Sequence, residues 1–170
     1  MRIQNFTTSR LSITSWRTIV QGPKQRAALE QDLALILTPN VLAPLPEPLR
    51  LPRGAGQIAD WVRAREAESD VYSVTHLGTG VLLGLLILAH DGPQNVHLGY
   101  MLADAAWGRG YATEVVWGLL EATPKGQGIV YVAGVGVANP ASSSVLLKTG
   151  FVLSPQMSSL DTRVYTQVVA

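Results

Sequence analysis

The sequence predicts a mixed α/β domain built around one central, mostly antiparallel sheet, and three observations predict it. Hydrophobic residues make up 47% of the 170 residues and charged ones 15%, the balance of a chain that buries a core. Past residue 70, apolar runs follow one another across short glycine-containing turns, as antiparallel hairpins do. Beyond them, helix-like and strand-like segments alternate. At this length a single domain, residues 1–170, is expected.

SRLSITSW (9–16) alternates as a strand, with Leu11 and Ile13 on one face and Ser12 and Thr14 on the other. PKQRAALEQDLALIL (23–37) reads as a helix with Pro23 in its first turn. Residues 38–56 hold five of the ten prolines, which rules out a regular helix or central strand; their apolar residues predict an ordered loop lying over the body. Residues 57–69 are helical again, with Ile58, Trp61, Val62 and Arg65 near one face. VYSVTHL (71–77), VLLGLLILAH (81–90) and VHLGYMLA (96–103) read as strands joined by the turns GTG and DGPQN. A helix is expected over roughly 110–122 and a β-branched buried strand over 128–138. NPASSSVLLKTG (139–150) is a short helix with Asn139 as N-cap, Pro140 at its first position and Gly150 as C-cap. FVLS (151–154) and TRVYTQVV (162–169) close the sheet as strands. Trp16, Trp61 and Trp117 are expected in the core or a pocket wall.

Composition excludes several chemistries. Without cysteine there is no disulfide, thiolate metal site or Cys nucleophile. The three histidines lack paired metal-ligand spacing, so no metal is expected. A net charge of +1 without a Lys/Arg run disfavours nucleic acid or an anionic membrane as partner. The N-terminus lacks a signal-peptide core, and the apolar run at 81–89 is too short to span a bilayer, so a soluble cytoplasmic protein is expected.

WGRGYATE (107–114) carries the functional signal. Gly108 and Gly110 flank Arg109 just before a helix. Glycine lets backbone approach a ligand without a Cβ in the way, while the unpaired N–H groups and dipole of a helix start favour a phosphate. Arg109 adds a mobile positive charge. By itself such a loop is equally a tight turn. It is not a P-loop, and it lacks the third glycine of a dinucleotide fingerprint.

HLGYMLADAAWGRGYATEVVWGLL followed by GVANPASSSVLLKTGF resembles the GNAT family of N-acetyltransferases, and within it the ribosomal-protein N-terminal acetyltransferase (RimJ/RimL-like) branch. The family's phosphate loop, [Q/R]-x-x-G-x-[G/A], has Trp107 in its first place here, Gly110 in its fourth and Ala112 in its sixth. NPAS and LLKTGF look like the branch's N-x-x-S and L-x-K-x-G-F, and TTSRLSI like its T-x-R-L opening. The resemblance spans nearly the whole chain and is weakest between residues 18 and 56. It implies a sheet with helices on both faces and a splayed pair of strands, 96–103 and 128–138, with acetyl-CoA in the wedge between them. The pantetheine would pair with backbone near Leu102 and Ala103. The pyrophosphate would rest on the loop of Gly108 and on the N–H groups of Arg109, Gly110, Tyr111, Ala112 and Thr113. Asn139 would lie near the pantetheine or thioester.

Attack of an amine on a thioester needs an unprotonated amine, a stabilised oxyanion and a departing thiolate. His97 is the candidate base, since imidazole titrates in the useful range, although the branch often has Glu there; the alternative is an ordinary strand-edge histidine. Backbone N–H groups freed where the strand splays would serve the oxyanion. The family's general-acid Tyr is replaced by Leu146. Ser142 is the acid that the branch suggests, unless it is a plain helix-surface serine, and Tyr100 is within reach unless it is only packed. Glu114, in the first turn of the helix, is read as compensating the helix dipole or as a hydrogen-bonding partner inside the fold. The resemblance implies an acceptor that is a protein or peptide N-terminus or an amine-bearing small molecule. Arg50, Arg53, Arg63 and Arg65, mixed with Glu47, Asp60, Glu66, Glu68 and Asp70, select no charge for it. Competing readings are a non-catalytic acyl-CoA-binding module and a nucleotide-binding domain for NAD or ATP. An exposed strand near the C-terminus would support a homodimer without requiring one.

Overall fold

The computed structural model describes residues 2–51, 54 and 56–170; Arg53 lies outside the described residues. Among these residues eight strands form one sheet in the order β1-β2-β3-β4-β5-β6-β8-β7. They are β1 (Phe6–Thr7), β2 (Leu11–Ser15), β3 (Asp70–His76), β4 (Leu82–His90), β5 (Asn95–Leu102), β6 (Ile129–Gly136), β7 (Val152–Leu153) and β8 (Thr162–Val169). All neighbours are antiparallel except β5 and β6. The helices are α1 (Trp16–Ile19), α2 (Pro23–Ile36), α3 (Pro39–Leu42), α4 (Gln57–Glu68), α5 (Tyr111–Ala122) and α6 (Pro140–Lys148).

β4 shows why its run reads as continuously apolar: it is covered on both faces. Leu86 and Leu88 join a core under α5 and α6 with Val115, Leu119 and Leu146. Leu85 and Ile87 join a second core under α1 to α4 with Trp16, Leu33, Trp61 and Val62. Helices therefore lie on both faces.

Several local expectations are corrected. The first long strand stops at Ser15, whose hydroxyl accepts from the Arg17 N–H and starts α1. β1, two residues long, carries no period that sequence reading detects. The proline-rich stretch contains an α-helical turn, α3, and a 3-10 turn over Glu47–Leu49; α3 forms because Pro39 sits at its first position, where a missing N–H costs nothing, and Thr38 caps it. The rest of the described stretch packs its leucines on the second core. It is pinned there by the Trp61 indole N–H, which donates to the Leu49 carbonyl at 2.9 Å. Trp16 and Trp61 are buried as expected, but Trp117 is half exposed on the outer side of α5.

The feature that creates a site is the parallel pair. β5 and β6 are in register at Asn95↔Val130, Val96↔Tyr131 and His97↔Val132, and then part. β5 stays with β4 along its whole length, through Gly84↔Leu102. Gly84 makes this possible: a Cβ there would lie 2.1 Å from the Met101 carbonyl oxygen. The departure of β6 therefore opens a wedge toward the C-terminal end of β5.

Candidate active site

A cleft of about 510 Å³ runs through the sheet at this wedge. On the α1–α4 side its floor is Ile87, Ala89, His97, Gly99 and Met101, and its wall is the Pro44–Leu49 strap with the end of α4. On the other side Tyr100, Asn139, Ser142 and Leu146 close it. His97 occupies the last position of β5 that pairs with β6, at the apex. Its side chain is half exposed, with Nε2 3.8 Å from the Asp91 carboxylate. Tyr100 points to the opposite face, and its hydroxyl donates to the Ser142 main-chain carbonyl at 3.3 Å. Burial pushes its phenol up to about 12, partly offset by the contact with Ser142. Asn139 caps α6 by accepting the Ser142 N–H at 3.2 Å. The four residues expected at the reacting centre, His97, Tyr100, Asn139 and Ser142, thus line one cleft.

Leu102, Ala103 and residues 108–113 lie outside this cleft, at the wide end of the wedge. The Ala103 N–H donates to the Leu83 carbonyl at 2.8 Å, and the Asp91 N–H to the Asn95 carbonyl at 3.0 Å. Antiparallel alternation then turns the amides of Tyr100 and Leu102 away from β4, into the gap. At Ala103 the N–H is taken by Leu83 and the carbonyl accepts the Ala106 N–H, so of the expected pair it is Leu102 whose N–H faces the gap. The Leu102 carbonyl accepts the Trp107 indole N–H at 2.8 Å, leaving its own N–H for the gap.

At the loop, Gly108 and Gly110 adopt left-handed φ of 71° and 78°, conformations that favour glycine. A Cβ at Gly108 would meet no atom within 4 Å, so that face of the backbone is open. No side chain caps α5, and helix geometry leaves the Tyr111, Ala112 and Thr113 amides without intrahelical partners. These are the donors that a pyrophosphate would take. Among the described residues the exposed Arg109 makes no ion pair.

Sequence reading missed what holds this loop. The Arg10 guanidinium sits 4.3 Å over the Tyr111 ring. It pairs with Glu114 at 2.7 Å and donates to the Arg109 carbonyl at 3.1 Å. Glu114 also accepts from the Thr8 hydroxyl at 2.6 Å and the Arg10 N–H at 2.8 Å. Burial alone would raise the Glu114 carboxyl, but these bonds and the Arg10 charge hold it below its ordinary range. The one acidic group in the first turn is thereby neutralised, so it does not oppose an anion at the amides. On the other flank Asp104 accepts from Thr38 at 2.7 Å and Asn40 at 3.0 Å, tying the strap to the turn before the loop. The signal for Arg10 was present in TTSRLSI, but nothing local to that segment reveals its partner 104 residues away.

The family model of the acetyltransferase (GNAT) domain matches residues 26–152. The chain belongs to the GNAT acetyltransferase family. Its members transfer an acetyl group from acetyl-CoA to an amine, and the NAD or ATP reading falls away. No curated protein sequence matches the chain. Solved structures share the fold of this GNAT domain at low identity. One is the Salmonella typhimurium acetyltransferase that modifies the N-terminal serine of ribosomal protein L7/L12: 16% identity, 96% of this chain and 97% of that one covered, TM-score 0.69. Another is the spermidine N-acetyltransferase of Vibrio cholerae in complex with CoA and spermine: 14% identity, 95% and 96% covered, TM-score 0.69. A third is an Agrobacterium tumefaciens acetyltransferase: 22% identity, 98% and 95% covered, TM-score 0.65. Among the described residues no helix is long and apolar enough to cross a membrane, and no cluster of three or more acidic or histidine side chains is placed to hold a metal.

Proposed function

We propose that this GNAT domain acetylates a primary amine in the cleft between β5 and β6, with His97, Tyr100 and Ser142 at the reacting centre. The observation that carries the assignment is the parting of β5 from β6 after His97↔Val132, which leaves the Tyr100 and Leu102 amides without a strand partner along the wedge into which the cleft opens. Acetyl-CoA supplies the thioester. The open backbone at Gly108 and the uncapped first turn of α5 fit its pyrophosphate, and the freed β5 amides fit its pantetheine and the oxyanion.

The amine nitrogen attacks the thioester carbonyl. A C–N bond forms, the C–S bond breaks, and sulfur leaves with the electron pair. The amine's surplus proton goes to His97, directly or through water, and from there to solvent, on which His97 opens. The raised phenol of Tyr100 keeps its proton throughout the neutral range. A free thiol has a pKa of about 8.5, so full transfer from Tyr100 to a leaving thiolate would be uphill. Its role is hydrogen-bond donation to the sulfur, the O–H turning there from the Ser142 carbonyl, with the final proton drawn from solvent. The Ser142 hydroxyl stands beside it as a second donor. Tyr100 thus reaches from β5 to within one helical turn of Leu146, the position where the family often has its tyrosine. That favours catalysis over a silent acyl-CoA-binding module.

A protein or peptide N-terminus, as named for the Salmonella typhimurium relative, and a small amine, as named for the Vibrio cholerae one, both suit the open acceptor side. A cytoplasmic setting fits acetyl-CoA use, and the exposed β7 edge at Val152 and Leu153 is where two copies would pair. Calorimetry with acetyl-CoA, NAD and ATP tests the assignment. Binding of acetyl-CoA alone, followed by amine-dependent thiol release, is expected. Absence of acetyl-CoA binding in folded protein refutes it.

A further inference from the structure

The acceptor half of the cleft contains one side chain that the transfer chemistry leaves without a task. α4 turns Ile58, Trp61, Val62 and Arg65 toward the sheet, and three of the four are apolar. Arg65 is 5% exposed and lies with its guanidinium carbon 5.8 Å from the Trp61 ring centre. Its Nη2 donates to Glu68 at 2.8 Å, while its buried Nε has no hydrogen-bond partner among the described residues. A buried donor without an acceptor is costly. Nε and Nη2 form the edge of a guanidinium that grips a carboxylate through two parallel bonds. Glu68 uses only one of them, from a side chain 60% exposed to solvent.

The position is also right. Arg65, Glu68 and Ser69 line the same cleft as His97 and Gly99. The register Val71↔Ile87 and Ile87↔Gly99 puts the strand that follows α4 two strands from β5, about 10 Å at ordinary strand spacing. Ala89 and Gly99 send no large side chain into the space between. A small acceptor would span it, with its amine at the wedge and an anion at Arg65.

We infer that Arg65 anchors a carboxylate on the acceptor: the substrate is an amine that also carries a carboxylate group, which displaces Glu68 and fills the empty Nε. The inference rests on the N-acetyltransferase reading and narrows its substrate class. The carboxylate has two sources, a free amino acid or an acidic side chain near a peptide N-terminus.

Thiol release from acetyl-CoA is measured with matched pairs: leucine and leucinamide, β-alanine and its amide, and the dipeptide amides Ser-Asp and Ser-Asn. The expected result is a KM about tenfold lower for the carboxylate member of the productive pair. The amino-acid pairs report one source and the dipeptide pair the other. In Arg65→Gln the preference should collapse to within about twofold. Equal turnover of acids and amides overturns the anchor and leaves the N-acetyltransferase reading intact. Acetyl-CoA binding without turnover of any carboxylate-bearing member also overturns it. Failure of folded protein to bind acetyl-CoA overturns both. Should Arg65→Gln not fold, Glu68→Gln carries the test. It removes the competing carboxylate, so the KM of acidic acceptors should fall, and an unchanged or higher value counts against the anchor.

Discussion

The two ends of the cleft are made of different materials. The donor end is backbone: two left-handed glycines, the uncapped first turn of α5, and β5 amides exposed by the departure of β6. The acceptor end is side chains, contributed by the strap, α4 and the floor of the sheet. A backbone site takes a ligand whose phosphates look alike in every relative. A side-chain site can change its acceptor without disturbing the fold. The difference teaches where a substitution will act: at the donor end through conformation, at the acceptor end through chemistry.

The sharpest break is at Gly110. Its φ of 78° is left-handed, and a β-branched residue there is strained by about 2–3 kcal/mol if it holds the conformation. Relief of that strain would turn the first amides of α5 away from the phosphates. Gly110→Val is therefore expected to weaken acetyl-CoA about a hundredfold by calorimetry. Circular dichroism should show the rest of the fold intact. Unchanged affinity would mean that the loop is only a turn.

How much of this was legible follows the same division. The loop, α5 and the capping of α6 by Asn139 and Pro140 are local patterns, and the structure has them where the spacing puts them. The buried run of β4 was legible because both of its faces are covered. Arg65 was placed on the apolar face of α4 from the spacing, but its unfilled Nε was not, since that depends on what surrounds it. Ala103 shows a related limit. Its proximity to the wedge was visible in sequence, but which edge of β5 its amide faces is set by pairing with Leu83. The Tyr100–Ser142 contact joins residues 42 apart across a gap in the sheet, and no periodicity encodes it.

Tyr100 sharpens the comparison from the middle of the cleft. Tyr100→Phe keeps the ring and removes the donor to sulfur. A fall in kcat of about tenfold to a hundredfold, with acetyl-CoA affinity held, is expected from stopped-assay kinetics. Equal kcat would assign the hydroxyl to packing against Ser142 alone.

The smallest expected effect lies behind the loop, at Arg10 and Glu114. The folded Glu114 carboxyl is held below its ordinary value of 4.5 by hydrogen bonds from Thr8 and Arg10 and by the Arg10 charge, against a burial effect of opposite sign. A depressed carboxyl stabilises the folded state above its unfolded value, and that contribution is lost as pH falls through the folded value. In Arg10→Met the side-chain bond and the charge go, while the Thr8 and main-chain bonds remain. The Glu114 carboxyl moves up, so acid unfolding should begin at a higher pH than in the parent. The loss at neutral pH should be about 0.2–1 kcal/mol, because the Arg10 side chain is 42% exposed and the pair is screened. Melting temperatures across the acid range check the shift, and parallel calorimetry checks the site. If the pair also shields the loop from the Glu114 charge, acetyl-CoA binding weakens a few-fold in Arg10→Met, and adding Glu114→Gln to that variant recovers part of the loss. A shifted acid limb with unchanged acetyl-CoA affinity would confine the pair to stability. The donor end would then be a site of backbone amides alone.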